Sequence, residues 1–361
     1  MDIEIIGCVA ALILAFAMWR WSQRMELPPV ANPELRALYE WENLPDSEKT
    51  IERAEDHLRE HPDDLSRRIG ILMRLGYGDN HDSTKLRHHT LELIKRLPHS
   101  MDIVAANHGE CFRHPGYRDE LVVALSAQLG QGFKDAGIHT NLGDIFGHAA
   151  LPITEPERFC EWNELPPDTP LPEKLDEEKL DRAILHYEAA AKLSDDSIPA
   201  ERLAQLLSNA NRLDAAIPAF EKAMEMIPEQ SRASVLVDYG ECLAKAKRTK
   251  EAIAMLEQVR DCDTEGFENG PGCHTMEAET LLGHLALERK DQRGAVKHLL
   301  ASTDVQGCCH NTTRGFPMSL ARELMDREPK AVAEFCQTVL DDFTPQHEGF
   351  RRMLKDVEKA A

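Results

Sequence analysis

Apolar residues recur at steps of three and four along most of this chain, the spacing of a helix that buries one face. The pattern is clearest in residues 213–228 and 249–260, two short alanine-rich segments, and in residues 235–247, which contain Gly240. Aromatic residues make up only 6% of the sequence, which also favours helices over sheets. The pattern therefore predicts an all-α protein.

Small residues stand at repeating intervals within these segments. Ala183, Ala216, Ala252 and Ala295 follow one another at intervals of 33, 36 and 43 positions. A larger side chain where two helices cross would push them apart, so small residues mark the crossings. The longest interval indicates an insertion near residues 261–275. The positions that share this spacing are Ala183, Tyr187 and Ala190; Ala204, Ala216, Phe220, Ala223 and Pro228; Gly240, Ala252, Leu256 and Val259; and Gly283, Ala295, Leu299 and Ser302.

This set resembles the tetratricopeptide repeat. Each unit of that family has a small residue in a first helix, A, and Ala, a large residue and a second Ala in a following helix, B. Val259 and Ser302 stand where the family has its second alanine. The resemblance implies an α-solenoid of helix–turn–helix repeats over residues 179–304. Residues 54–64 and 315–326 also resemble segments of a group of bacterial proteins without an assigned activity, which supports a helical array and no particular function.

The remaining segments are organised around this array. Residues 51–150 are predicted to form divergent N-terminal helical repeats, with helices at residues 51–61, 65–75, 89–97 and 120–130. Residues 151–178 hold six prolines between positions 152 and 172, so they are predicted to be a long inserted loop. Residues 305–361 are predicted to close the array as a C-terminal helical hairpin.

The N-terminus has a different character. Residues 5–19 are an unbroken apolar run that ends at Trp19, and Trp21 follows it closely. This pattern predicts a transmembrane anchor over residues 1–24. Residues 25–50 are predicted to form a linker and a short helix. Asp2 precedes the run and no small-residue cleavage motif follows it, which argues against a removed signal peptide. Arg20 and Arg24 follow the run, so the positive-inside rule places the soluble part in the cytoplasm, with an extracytoplasmic location as the alternative.

The resemblance also implies a partner-binding groove lined by the A helices. Family members that grip a C-terminal carboxylate carry a lysine where this chain has Glu201, Val237 and Thr280, so that clamp is absent. A mixed, rather acidic groove favours a basic or amphipathic peptide segment. The predicted partner-binding residues are Glu201, Gln205, Asn209, Val237, Glu241, Lys245, Thr280, His284 and Glu288.

Catalytic signatures are absent from the sequence, so no enzyme activity and no cofactor are predicted. Cysteines and histidines cluster in two predicted inter-repeat loops: Cys262, Cys273, His274, Cys308, Cys309 and His310. The thiols and imidazoles together suit a zinc site, whereas the thiols alone could form a disulfide or remain free. An odd number of cysteines, nine, favours reduced thiols. A formal net charge of −21 argues against binding nucleic acid.

The sequence therefore predicts a membrane-tethered scaffold for protein–protein interaction. Two alternatives remain open. One is an enzyme or enzyme subunit that uses the Cys/His loops for metal or redox chemistry. The other is a structural component that assembles with itself.

Overall fold

The computed structural model describes residues 48–77, 82–100, 102–105, 107–132, 135–153, 160, 169, 171–228, 232–262, 272–303, 318–342 and 348–360. Within these residues every regular element is a helix, which confirms the all-α prediction. The chain divides into two compact units between Tyr117 and Arg118. No helix among the described residues combines the length and apolar character needed to cross a bilayer, and the apolar run at residues 5–19 lies outside them.

The helices of the first unit are short and amphipathic. Asp82 caps α3, because its carboxylate accepts hydrogen bonds from the backbone N–H groups of Thr84 (2.9 Å) and Lys85 (3.0 Å). Helix α2 packs against α1, α3 and α4, with Ile69 and Leu72 fully buried. In chain order the helices are α1 Glu48–Glu60, α2 Leu65–Tyr77, α3 Ser83–Arg96, α4 Asp102–Ala105 and α5 His108–Arg113.

The second unit is a succession of helical hairpins. Helices α7, α9, α11 and α13 each pair with the helix that follows, and each packs beside the next one in this series, ending at α15. In chain order the helices are α6 Pro115–Gly130, which begins before the division, α7 Ala136–Ala150, α8 Glu177–Leu193, α9 Ile198–Asn209, α10 Leu213–Met226, α11 Ala233–Lys245, α12 Thr249–Gln258, α13 Gly272–Glu288, α14 Gln292–Ala301, α15 Ser319–Leu324, α16 Pro329–Asp342 and α17 Glu348–Ala360.

We call α7, α9, α11, α13 and α15 the A helices, and α8, α10, α12, α14 and α16 the B helices. The B-helix positions singled out by spacing are buried. Ala183, Ala216, Ala252 and Ala295 have no exposed surface, and their larger partners are buried beside them. The sequence prediction of where the helices cross is therefore confirmed.

Glycines in the A helices allow close approach. A Cβ at Gly240 of α11 would lie 2.6 Å from Cγ of Leu256 in α12, and one at Gly143 of α7 would lie 2.7 Å from the ring of Tyr187 in α8. At Gly283 of α13 the obstructing side chain is Leu320 of α15, the next A helix, rather than Leu299 of its own hairpin. Glycine thus serves two different contacts in this array.

Three of the turns from A to B helices share one backbone geometry. Asn211, Lys247 and Lys290 lie in the left-handed region, with φ of 57°, 61° and 62°. In each case the next residue donates its N–H back to a carbonyl five positions earlier: Arg212 to Leu207 at 2.8 Å, Arg248 to Leu243 at 2.9 Å and Asp291 to Ala286 at 2.9 Å. These bonds are typical of a Schellman helix end, which reverses the chain within a few residues.

The long insertion joins α7 to α8. Its two ends are held together, because the N–H of Ile153 donates to the carbonyl of Pro172 (2.8 Å) and that of Asp176 donates to Ala150 (2.9 Å). Asp176 then caps α8 by accepting from the N–H of Lys179 (3.1 Å). Most of the intervening loop lies outside the described residues. The hairpin therefore closes in spite of the insertion.

The C-terminal segment contains the predicted hairpin and one helix more. Helices α15 and α16 pack together, and α17 packs on α16 through an edge-to-face contact of Phe335 and Phe350, with ring centroids 5.9 Å apart. Helix α17 was not resolved by the sequence pattern as a separate element. Its apolar face completes the core at this end.

Candidate partner-binding surface

The A helices present one row of polar side chains, and seven of the nine predicted binding residues have accessible surface there. Glu201, Gln205, Glu241 and His284 are half-buried, whereas Asn209, Lys245 and Glu288 are exposed. Because consecutive A helices pack side by side, these residues fall on neighbouring helices of one surface. We call this surface the A-helix face.

Hydrogen bonds and ion pairs link neighbouring A helices across the face. Gln205 of α9 donates through Nε2 to Oδ2 of Asp238 in α11 at 2.6 Å. His284 of α13 lies 3.0 Å from Oγ of Ser319 and 3.2 Å from a carboxylate oxygen of Glu323, both in α15. The face is thus a connected polar surface, and a partner that binds it meets side chains already fixed by their neighbours.

The first hairpin, α7–α8, is linked to the next A helix, α9, by a buried group of polar side chains. The Tyr187 hydroxyl donates to Oδ1 of Asp144 at 2.6 Å, and Arg202 of α9 lies 4.0 Å from the same oxygen. Burial, followed by the neighbouring Asp144 charge, raises the pKa of Tyr187, so this phenol stays a donor. The cation of Arg202 is therefore partly satisfied within the chain.

Carboxylates dominate the centre of the face. The pKa of Asp238 is raised to about 6, chiefly by burial and also by the nearby charges of Glu241 and Glu277, against the hydrogen bond from Gln205 and the charge of His274. We call Asp238, Glu241 and Glu277 the acidic patch. Its one close cation in α11 is Lys245, which pairs with Glu241 at 3.0 Å. The patch carries excess negative charge at neutral pH.

Comparison with known proteins identifies the repeat family of one segment of this array. The tetratricopeptide repeat family matches residues 210–266, which contain α10, α11 and α12. The chain therefore contains a tetratricopeptide repeat segment. Hairpins on both sides of the matched segment bury small residues at the same positions, so the repeats extend beyond it. No curated protein matches the chain.

Two predicted binding residues of the repeats lie elsewhere. Val237 is 5% exposed and packs in the core between hairpins, and Thr280 is 8% exposed and donates its hydroxyl to the carbonyl of Met276 at 2.9 Å. A partner on the A-helix face does not reach them. Asp238 and Glu277 occupy the face instead. The repeat pattern also places Glu277 at a groove position, whereas Asp238, one position after Val237, would have been found by a scan for charged residues next to the predicted positions.

A buried carboxylate joins the third and fourth repeats. The side chain of Glu279 in α13 is 1% exposed; it forms an ion pair with Arg260, just after α12, and a hydrogen bond with Nδ1 of His298 in α14 (2.8 Å). Removing one partner from such a group is costly because a charge is left buried. Glu279 therefore holds three helical segments together and belongs to the scaffold rather than to the binding face.

The Cys/His constellation is described only in part. Cys308, Cys309 and His310, and the side chain of Cys273, lie outside the described residues. Cys262 is a half-buried free thiol, and His274 lies 3.9 Å from a carboxylate oxygen of Glu277. Among the described side chains no group of three His, Cys, Asp or Glu is placed to hold a metal ion. The choice between zinc, disulfide and free thiols stays a prediction.

Proposed function

We propose that this protein is a membrane-tethered scaffold that binds a basic or amphipathic segment of a partner protein on its A-helix face. Tetratricopeptide repeats bind proteins and are typically not enzymes, which supports the general role. The acidic patch supports the choice of partner, because carboxylates on a partly buried surface favour a ligand that brings lysine or arginine.

The arrangement of cations strengthens this choice. Arg202 lies beside Asp144 and Lys245 beside Glu241, so positive charge on the face is engaged within the chain. Glu201 of α9 is half-buried, with no ion-pair partner among the described residues, and it adds to the negative field. An amphipathic helix would place its cations over these carboxylates and its apolar side against the alkyl parts of the same surface.

Peptide binding to the purified full-length chain tests the proposal. The probe is a fluorescein-labelled amphipathic helical peptide with lysines on its polar face, compared with an analogue carrying glutamates at those positions. Fluorescence anisotropy well above pH 6, where Asp238 is ionised, should show tighter binding of the lysine peptide. Glu241→Lys should raise its Kd about tenfold, because it replaces an attraction at the patch with a repulsion.

The matched control is Glu257→Lys, which makes the same charge change on the exposed surface of α12. We expect it to leave the Kd of the lysine peptide unchanged. Failure of the lysine peptide to bind, equal affinity for both peptides, or equal losses in the two variants would each contradict recognition of a basic segment on the A-helix face.

A further inference from the structure

The turns between A and B helices carry a charge opposite to that of the A-helix face. Residues 246–250 hold three cations and no carboxylate, and residues 289–293 hold three cations and one carboxylate, Asp291. Residues 327–330 add two cations, Arg327 and Lys330, and one carboxylate, Glu328. This distribution is unexpected in a chain with a net charge of −21. We call these three turns the basic edge.

Direct contacts show that the three turns are neighbours. Nζ of Lys247 lies 3.6 Å from Oε1 of Glu288, at the end of α13, which joins the first turn to the second. Nε2 of Gln292 donates to Oε1 of Glu328 at 2.5 Å, which joins the second turn to the third. Since packed helices lie 8–10 Å apart, the basic edge is a row of turns about 10 Å from one another.

Most cations of the basic edge are available to a ligand. Lys247 and Arg248 form ion pairs with Glu288 and Glu251, yet the Lys247 side chain remains 77% exposed. Six further cations are exposed and form no ion pair among the described residues: Lys250, Arg289, Lys290, Arg293, Arg327 and Lys330. They have the long flexible side chains that reach out from a turn.

We propose that the basic edge docks on the anionic headgroups of a lipid bilayer. A row of projecting turns fits a plane, which meets all the cations at once, whereas an acidic peptide would need carboxylates at matching intervals of about 10 Å. The acidic A-helix face is repelled by the same plane, so the two charges together orient the array with the basic edge towards the headgroups. The apolar run at residues 5–19 would keep the edge near such a surface.

Lysine acylation on vesicles tests the docking. The full-length chain is mixed with vesicles of phosphatidylcholine, with or without phosphatidylserine, treated briefly with an N-hydroxysuccinimide ester and analysed by mass spectrometry. We expect acylation of Lys250, Lys290 and Lys330 to slow about fivefold on the anionic vesicles at low salt and to recover at high salt. The exposed B-helix lysines Lys192 and Lys222 should react equally on both vesicles.

Charge variants distinguish docking of the basic edge from a general effect of the vesicles on lysine acylation. Arg293→Gln combined with Arg327→Gln should remove most of the protection at Lys250 and Lys290. The control, Lys192→Gln combined with Lys222→Gln, makes the same change in net charge and should leave it intact.

Three results would overturn the proposal. The first is equal protection of edge and B-helix lysines. The second is protection of the edge by soluble poly-glutamate but not by anionic vesicles, which would assign the edge to an acidic polypeptide. The third is edge protection without lipid that rises with protein concentration, which would assign it to a second copy of the chain.

Discussion

At the scale of single residues, His89 shows how burial fixes a protonation state. Its ring is 3% exposed, with Nδ1 3.3 Å from Nη1 of Arg68 and Nε2 3.4 Å from Oε1 of Glu55. An arginine can only donate, so Nδ1 is the acceptor and Nε2 carries the proton that Glu55 accepts. The pKa of His89 is lowered from 6.5 to about 4, chiefly by burial and also by the Arg68 charge, against the hydrogen bond to Glu55.

The first unit should therefore lose stability in mild acid. Since the pKa of His89 is lower in the folded chain, the unfolded chain binds the extra proton, and stability falls as the pH drops from 6.5 towards about 4. The loss from this one residue is at most about 3 kcal/mol.

His89→Gln, which can accept from Arg68 and donate to Glu55, should flatten the pH dependence of the urea midpoint in this window. His61→Gln, at an exposed position, should leave that dependence as it is; equal slopes for wild type and His89→Gln would contradict the assignment.

At the scale of elements, two lysines occupy a conformation that favours glycine. Lys247 and Lys290 have positive φ at the A–B turns, and a left-handed residue with a Cβ costs about 1–2 kcal/mol. Lys247 also pairs with Glu288, whereas Lys290 forms no ion pair with any residue that the structure describes. Lys290→Gly should raise the free energy of unfolding by about 0.5–1 kcal/mol, after subtracting the larger backbone entropy of glycine in the unfolded chain.

Lys297→Gly is the matched control, because it makes the same substitution within α14, where glycine costs about 1 kcal/mol relative to alanine. Urea denaturation of both variants should therefore give shifts of opposite sign. A loss of stability in Lys290→Gly would show that the lysine side chain makes a stabilising contact at the turn.

The repeat pattern predicted the helix crossings correctly but not all of the surface positions. Small residues at Gly240, Ala252 and Ala295 revealed the helix crossings, because close packing restricts which side chains fit there. Val237 and Thr280 were assigned to the groove by counting from the repeat pattern, yet they are buried. A shift of one residue rotates a side chain by about 100° around a helix, so counting alone does not fix which side chains reach the surface.

Features that depend on packing between repeats left little trace in the sequence. The raised pKa of Asp238 arises from burial together with carboxylates on its own and the next A helix, Glu241 and Glu277. The basic edge depends on contacts between turns that are 36 or more positions apart. No local pattern reports such proximity, although the charges themselves were visible.

At the scale of the whole molecule, we propose that the N-terminal charges orient the chain in a membrane. Asp2 and Glu4 precede the apolar run and Arg20 and Arg24 follow it, which favours a cytoplasmic array. A C-terminal reporter active only in the cytoplasm should give signal in cells, and one active only outside it should not. Arg20→Glu combined with Arg24→Glu should weaken that bias. Activity of the external reporter in the wild type would reverse the placement and make disulfides feasible.

The buried carboxylate of Glu279 has a consequence for the removal of a repeat from this array. Repeat proteins gain and lose units when a segment is duplicated or deleted. Loss of one 36-residue unit here would bring Met224 to the position of Arg260, since these residues correspond across adjacent units. Glu279 would keep His298 but lose its arginine partner while its own carboxylate stays buried. Deletion of such a unit is therefore expected to leave the buried Glu279 carboxylate without its cation and to destabilise the junction of the remaining repeats.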